Sequence, residues 1–310
     1  MGTINAGSGA GPGNHPTMTP AVGLSTLTSI NFASGSQLQT IGPKAFAGCS
    51  NLTTITNLPD TCNTIGAQAF QNCTNLQSIN LKGVQYIGDA AFNNAFIASN
   101  DTIATSHPVT LDLSSAQYLG VGAFDSSVWT TTSTNDSSSG TGTETQQISK
   151  ISSVTFGSQL NNLSTYAFNG ANYLTSADLS NCTNLAKVSD NAFRNTQNLA
   201  SVKFSNTIDT IGNSAFSGAI KLAGSFSPES TTLNIGDSAF SGSQFESIDF
   251  SKVVGNLTIG QSAFSNADTT NTSLTTLTLP TGIDPTNNEI SSYVAIEQGA
   301  FANCTALKLD

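Results

Sequence analysis

A chain of 310 residues with 37% hydrophobic residues can bury a continuous core as one large or two ordinary domains, and with only 9% charged residues its surface polarity must come from Ser, Thr and Asn. Nine Lys plus Arg against nineteen Asp plus Glu give a net charge of -10, thinly spread, which excludes the basic patch that nucleic-acid binding needs and the basic helix that lies on a membrane surface. No apolar run approaches the ~18 residues of a membrane-crossing helix, so direct membrane insertion is not expected.

In chain order the first element is a lead-in over residues 1–23, rich in Gly, Pro and Thr and read as flexible. No basic stretch followed by an apolar one is visible in it, so it carries no recognisable signal peptide, and Ala6 stands where a myristoylation signal needs Ser or Thr. From Leu24 to Asp310 the chain repeats itself. The dipeptide Ala-Phe recurs ten times, with the aromatic at Phe46, Phe70, Phe92, Phe124, Phe168, Phe193, Phe216, Phe240, Phe264 and Phe301. Successive spacings are 24, 22, 32, 44, 25, 23, 24, 24 and 37 residues. A basic period of 22 to 25 residues with occasional insertions is the signature of a solenoid of about ten rungs.

Each copy has the same internal order. Five residues before the Phe stands an apolar residue, Ile41, Ile65, Ile87, Leu119, Leu163, Val188, Ile211, Ile235, Ile259 or Ile296. Gly follows it in seven copies and suits a bend at positive φ, although Ser164, Ser189 and Glu297 show that the bend tolerates other residues. From Ile65, the small or apolar Ala69, Phe70 and Cys73 fall at helical spacing, and Leu76, Ile79 and Leu81 then switch to period two. One rung therefore reads as a bend, a short helical turn and a short strand. A single rung cannot bury its apolar face, so the rungs must stack, with a ladder of Phe rings as the spine of the core.

Three insertions interrupt the period. Residues 100–107 and 281–292 form two of them. The third, about 126–149, contains the low-complexity stretch TTTSTNDSSSGTGTETQQ and is expected to leave the solenoid as a mobile loop. The last rung reaches Cys304, Leu307 and Leu309 and reads as incomplete at Asp310.

"IGAQAFQNCTNLQSINL" and "IGPKAFAGCSNL" resemble the treponemal-type leucine-rich repeats of the BspA-like family, whose repeat reads I-G-x-x-A-F-x-x-C-x-x-L-x-x-I-x-L-P. The likeness runs from about Leu24 to Asp310, and the A-F and C-x-x-L elements separate this class from ordinary leucine-rich repeats. It implies an α/β repeat solenoid, a right-handed superhelix with a parallel β-sheet on one face and short helical turns or loops on the other. It further implies a secreted or cell-surface protein, extracellular in location, that adheres to host matrix proteins or to other cells.

The chemistry-bearing residues mostly dissolve into this pattern. Cys49, Cys73 and Cys304 follow the repeat Phe by three residues where other copies carry Ala, Ser or Thr, Cys182 precedes a repeat Leu, and Cys62 stands where Leu38, Leu160, Leu185 and Ile208 stand elsewhere. All five read as small core residues rather than as metal ligands; a disulfide between Cys49 and Cys73 is a matter of geometry that sequence leaves open. His15 and His107 belong to no acid–base cluster, and no zinc-protease, esterase or phosphate-loop motif occurs, so no catalytic residue, metal site or cofactor is assigned.

What remains is the outward side of each strand. Ser29 and Asn31, Thr54 and Thr56, Ser78 and Asn80, Thr110 and Asp112, Ser176 and Asp178, and Ser247 and Asp249 flank inward apolar residues, and stacked they form a polar face able to offer many hydrogen bonds to an extended partner. Any solvent-facing strand must also be polar and β-compatible, which Ser and Thr satisfy. Three functions stay open: a non-catalytic binder of a matrix or cell-surface protein, a structural spacer that holds another domain away from a surface, and a glycan- or ice-binding face.

Overall fold

In the computed structural model the described residues are 26–98, 106–127, 129–131, 144–146, 148–266, 273–280 and 293–307. The lead-in 1–23, most of the expected insertions and the end of the last rung lie outside them. Numbering rungs one to ten by their Phe, the residue before each apolar partner and that partner itself form a strand of two or three residues. Thr40–Ile41 is the first of these and Val294–Ile296 the last. The ten strands join into one parallel sheet in strict rung order. Ile41 is level with Ile65, Ile65 with Ile87, Ile87 with Leu119 and Leu119 with Leu163, and the line continues through Val188, Ile211, Ile235 and Ile259 to Ile296.

Five residues on, the ten Phe rings stack face to face at centroid spacings of 5.1 to 5.5 Å and interplanar angles of 1° to 13°. All but the last ring are buried, inside one core that runs from Ile41 to Ala300. Burial of each ring stabilises by ~2–3 kcal/mol before any gain from stacking.

The arc around the Phe is not helical. In rung one the N–H groups of Lys44, Phe46 and Gly48 donate to the carbonyls of Ala67, Ala69 and Gln71 in rung two at 3.0, 2.8 and 2.8 Å. The amides between them, Ala45, Ala47 and Cys49, close tight turns onto Gly42, Lys44 and Phe46. The apparent helical spacing thus arises from consecutive turns whose alternate amides face the neighbouring rung.

This arc also corrects the expected reason for the glycine. Left-handed backbone does occur in every copy, but two residues before the Phe, on Lys44, Gln68, Ala90, Gly122, Tyr166, Asn191, Ser214, Ser238, Ser262 and Gly299. None of the glycines after the apolar residue has positive φ. A Cβ on Gly66 would instead lie 2.5 Å from the backbone N of Pro43, and one on Gly88 2.6 Å from that of Ala67. Glycine is required by close approach of the preceding rung. Gly42, in rung one, meets nothing within 4 Å. Where Ser164, Ser189 and Glu297 replace the glycine the Phe steps are 5.1, 5.5 and 5.3 Å, so the stack accommodates a side chain there.

Candidate binding face and its interruptions

The strands that follow the C-x-x-L element lie on another side of each rung and bring the predicted residues into register. Ser29 is level with Thr54 and Asn31 with Thr56, and Thr54 bridges to Ser78. Thr110 pairs with Ser153 and Asp112 with Thr155; Ser176 pairs with Ser201 and Asp178 with Lys203. Ser247 lies between Ser225 and Thr276, and Asp249 is level with Thr278.

They do not form one broad sheet. Ladders join Ser29–Asn31 to Thr54–Thr56, Val109–Leu113 to Ile151–Phe156, Ser176–Asp178 to Ser201–Lys203, and Ala223–Phe226 through Gln244–Asp249 to Thr276–Thr278. The face is therefore four blocks which, counting each of these strands with the Phe that follows it, are interrupted after rungs three, five and seven. Beside the first interruption the ends of two insertions are tied together, since Ile97–Ala98 pairs antiparallel with Ile148–Ser149. Further into the longest insertion Trp129–Thr131 pairs antiparallel with Glu144–Gln146. Residues 132–143 of that insertion lie outside the described residues.

The two rows of the face differ chemically. In the second row four of the five Asp and Asn residues accept from the backbone two residues on: Asn80 from Lys82 at 3.1 Å, Asp112 from Ser114 at 3.0 Å, Asp178 from Ser180 at 3.0 Å and Asp249 from Ser251 at 2.9 Å. These are Asx turns that take the chain out of the strand. The Ser180 hydroxyl also donates to Asp178 at 2.5 Å, and with Lys203 3.2 Å away it holds the carboxyl below the usual range. Ser251 does the same for Asp249. Asn31 is likewise engaged, accepting from Thr56 Oγ1 at 2.9 Å and Asn57 Nδ2 at 2.8 Å.

The first row is free by comparison. Ser29, Ser78, Thr110 and Ser176 are exposed and Thr54 is half-buried, and their hydroxyls make no side-chain hydrogen bond among the described residues. Ser247 differs, donating to Ser225 at 2.8 Å. The Asp-x-Ser spacing at 112–114, 178–180 and 249–251 carried the signal for the turns, and the sequence reading passed over it.

Other reactive groups are withdrawn from this face. Cys49, Cys62, Cys73 and Cys182 are buried, Cys304 is half-buried, and all five are free thiols. Burial pushes Cys73 up to about 12, with Cys49 nearby adding to the shift, and Cys182 up to about 11. The Cys73 thiol donates to the Phe46 carbonyl at 3.2 Å. Among the described residues no helix is long and apolar enough to cross a membrane.

No curated protein matches the chain in sequence. Among the solved structures similar to it are two leucine-rich repeat proteins. A leucine-rich repeat protein from Bacteroides ovatus is 18% identical, with 90% of this chain and 73% of that one covered and a TM-score of 0.39. A leucine rich cell surface protein from Faecalibacterium prausnitzii is 17% identical, with 86% and 82% covered and a TM-score of 0.34. The family model for the BspA type leucine rich repeat region matches over residues 23–109, 108–223 and 184–309, in six copies. With that match spanning nearly all of the solenoid, and with every rung keeping the Ile-to-Phe arc, the chain belongs to the BspA-type leucine-rich repeat family.

Proposed function

We propose that this chain is a non-catalytic binding protein of the cell surface or the secreted space, which adheres to host matrix proteins or to other cells through the outward hydroxyl row. The observation that carries the reading is that row itself. Ser29, Thr54, Ser78, Thr110 and Ser176 are level with their neighbours, and their hydroxyls are not consumed by side-chain hydrogen bonds among the described residues. Many weak, uncharged hydrogen-bonding groups at rung spacing suit an extended protein surface better than a small molecule. Membership of the family supports the location. A non-catalytic role is supported by the thiols, whose burial and raised pKa make them poor nucleophiles.

A rigid spacer is the second reading, favoured by the unbroken ten-stranded sheet. Glycan binding fits the hydroxyls, whereas ice would need a flat, unbroken row, which four separate blocks do not offer. The test is surface plasmon resonance against immobilised collagen, fibronectin and laminin, comparing the natural chain with Thr54→Trp, Ser78→Trp and Ser176→Trp. At least one matrix protein is expected to bind, and at least one of these bulky replacements to weaken it about tenfold. Binding unchanged in all three folded variants eliminates the row as the ligand face, and no binding to any matrix or cell-surface protein favours the spacer.

A further inference from the structure

The interruption between rungs seven and eight differs from an ordinary strand end. The rungs stay closed at the core, where Phe193, Phe216 and Phe240 keep steps of 5.2 Å. On the outer face they part. Ala223 N–H still reaches Ala200 C=O at 3.3 Å, and then Gly224, at φ +82°, turns the chain away. From there Ser225 and Phe226 follow rung nine, through a register shift, and not rung seven. The wedge left open is a cleft of about 320 Å³ lined by Val202, Lys203, Phe204, Ser225, Phe226 and Glu229.

The rung-seven side of this cleft is a strand edge with its hydrogen-bonding groups unused. Among the described residues strand Ser201–Lys203 pairs only with Ser176–Asp178, and Lys203 C=O accepts from Leu179 N–H at 2.8 Å. Alternation along a strand turns the N–H and C=O of Val202 to the opposite side, into the cleft. The amide just after the strand normally ties one rung to the next, as Phe32 does to Thr56 at 3.2 Å, Leu179 to Lys203 at 2.8 Å and Phe250 to Thr278 at 2.8 Å. Phe204 is the same position in rung seven, and among the described residues nothing across the gap accepts from it. Beneath these groups Phe204 is half-buried and packs edge-on against Phe226, with centroids 5.6 Å apart. Ion pairs rim the cleft on both sides, Lys203 with Asp178 and Glu229 with Lys252, so it carries no net charge to select an ionic ligand.

We propose that this cleft binds a short extended peptide segment of a protein partner, which adds to the Ser201–Lys203 edge as a strand and sets one apolar side chain against Val202 and Phe204. The proposal rests on the binding-protein reading above and deepens it by naming the site and the form of the ligand. Main-chain pairing to an open strand edge supplies the affinity, and the apolar floor supplies the selectivity. A volume of about 320 Å³ lies at the lower end of the ~300–1,000 Å³ typical of ligand pockets, which suits a few residues and not a folded domain.

The experiment is selection of linear heptapeptides from a phage-displayed library on the natural chain. Binding of the selected peptides is then measured to the natural chain, to Ser225→Trp, which fills the cleft from an exposed position, and to Val121→Trp, an exposed position on the Ile-to-Phe arc outside both the cleft and the hydroxyl row. Enriched peptides are expected to bind Ser225→Trp at least tenfold more weakly and Val121→Trp equally well. Hydrogen exchange provides a second readout. In the free protein the Val202 and Phe204 amides should exchange at least tenfold faster than those of Leu179 and Phe250, and slow when peptide is added. The proposal is overturned if no peptide enriches, if Ser225→Trp binds as well as the natural chain, or if the Phe204 amide is already as protected as that of Leu179. Binding of a glycan that Ser225→Trp abolishes, without any peptide enrichment, also overturns it. None of these outcomes depends on whether Ser78→Trp weakens matrix-protein binding, so failure here is separable from failure of the broader reading.

Discussion

The two strand-bearing sides of the rung are made by one chain under different length rules, and they came out differently. From the apolar residue to the Phe there are always five residues, whereas the spacing from one Phe to the next ranges from 22 to 44. Every insertion therefore falls outside the Ile-to-Phe arc. On that arc all ten strands join a single sheet; on the other side four blocks alternate with gaps. Constant length permits constant register, and each rung then templates the next. The variable side is free to diverge because the constant side already holds the stack. Stability is thereby assigned to one side of the turn, and the recognition proposed above would fall to the other.

The sharpest way to break the comparison is to remove a ring from the constant arc. Phe168→Ala, in the middle of the stack, should cost ~3–5 kcal/mol and lower the melting temperature more than any change on the outer face. Thermal denaturation followed by circular dichroism measures it; a loss under 1 kcal/mol would mean that the stack is not the spine. Next in size is the glycine. Gly88→Ala forces a Cβ to within 2.6 Å of the Ala67 backbone and should cost ~1–3 kcal/mol, whereas Gly42→Ala, which meets nothing within 4 Å, should change stability little. Equal effects at the two positions would show that glycine serves the bend itself and not the contact between rungs.

The variable side carries a different liability. Lys150, at the root of the longest insertion, is only 3% exposed and has no carboxylate paired with it among the described residues. Burial lowers its pKa from 10.5 to about 8. Between those values the unfolded chain binds more protons than the folded one, so stability rises as pH increases from about 8. Cys73 and Cys182 act in the other direction, because their thiols, raised to about 12 and about 11, keep protons that the unfolded chain loses above 9.0. A shallow stability maximum around pH 9 follows. Lys150→Met should remove the rise, stabilise the protein at pH 7 by on the order of 2 kcal/mol and leave the fall above pH 9 intact. Urea denaturation at pH 7, 8, 9 and 10 checks it, and a flat profile for the natural chain would refute it.

How much of this was readable beforehand follows the same division. The Phe stack, the inward Ile positions and the small-residue role of Cys73 were legible, because a repeated choice of residue type at a fixed offset exposes packing directly. Which side would carry the continuous sheet was not. Thr40–Ile41 and six of its relatives are two-residue strands and the other three have only three residues, too short for a periodic signal, so Leu76, Ile79 and Leu81 gave the stronger strand signal although their side of the fold is the interrupted one. The glycine was noticed and its cause misassigned, since a close approach between rungs leaves no trace in a single rung. The cleft was signalled only by the irregular copy after Phe216. Its meaning depends on Gly224 turning one rung away from its neighbour, and that is a relation between rungs.

The smallest effects separate the two rows of the outer face itself. Asp178 closes its Asx turn and faces Lys203, and its carboxyl is held low chiefly by Ser180. Its contribution is therefore complete at neutral pH and lost as pH falls through that lowered value. Asp178→Ala should cost ~0.5–1.5 kcal/mol at pH 7, with the difference from the natural chain shrinking toward pH 3. Ser176, two residues away and exposed, makes no such bond, and Ser176→Ala should stay within ~0.5 kcal/mol at any pH. Paired melts at pH 7 and pH 3 test both. If Ser176→Ala proves neutral to stability while Ser176→Trp weakens a matrix protein, the hydroxyl row is kept for what lies outside the molecule. If Ser176→Ala instead destabilises as much as Asp178→Ala, the row is part of the scaffold, and the binding face must be sought at the interruptions.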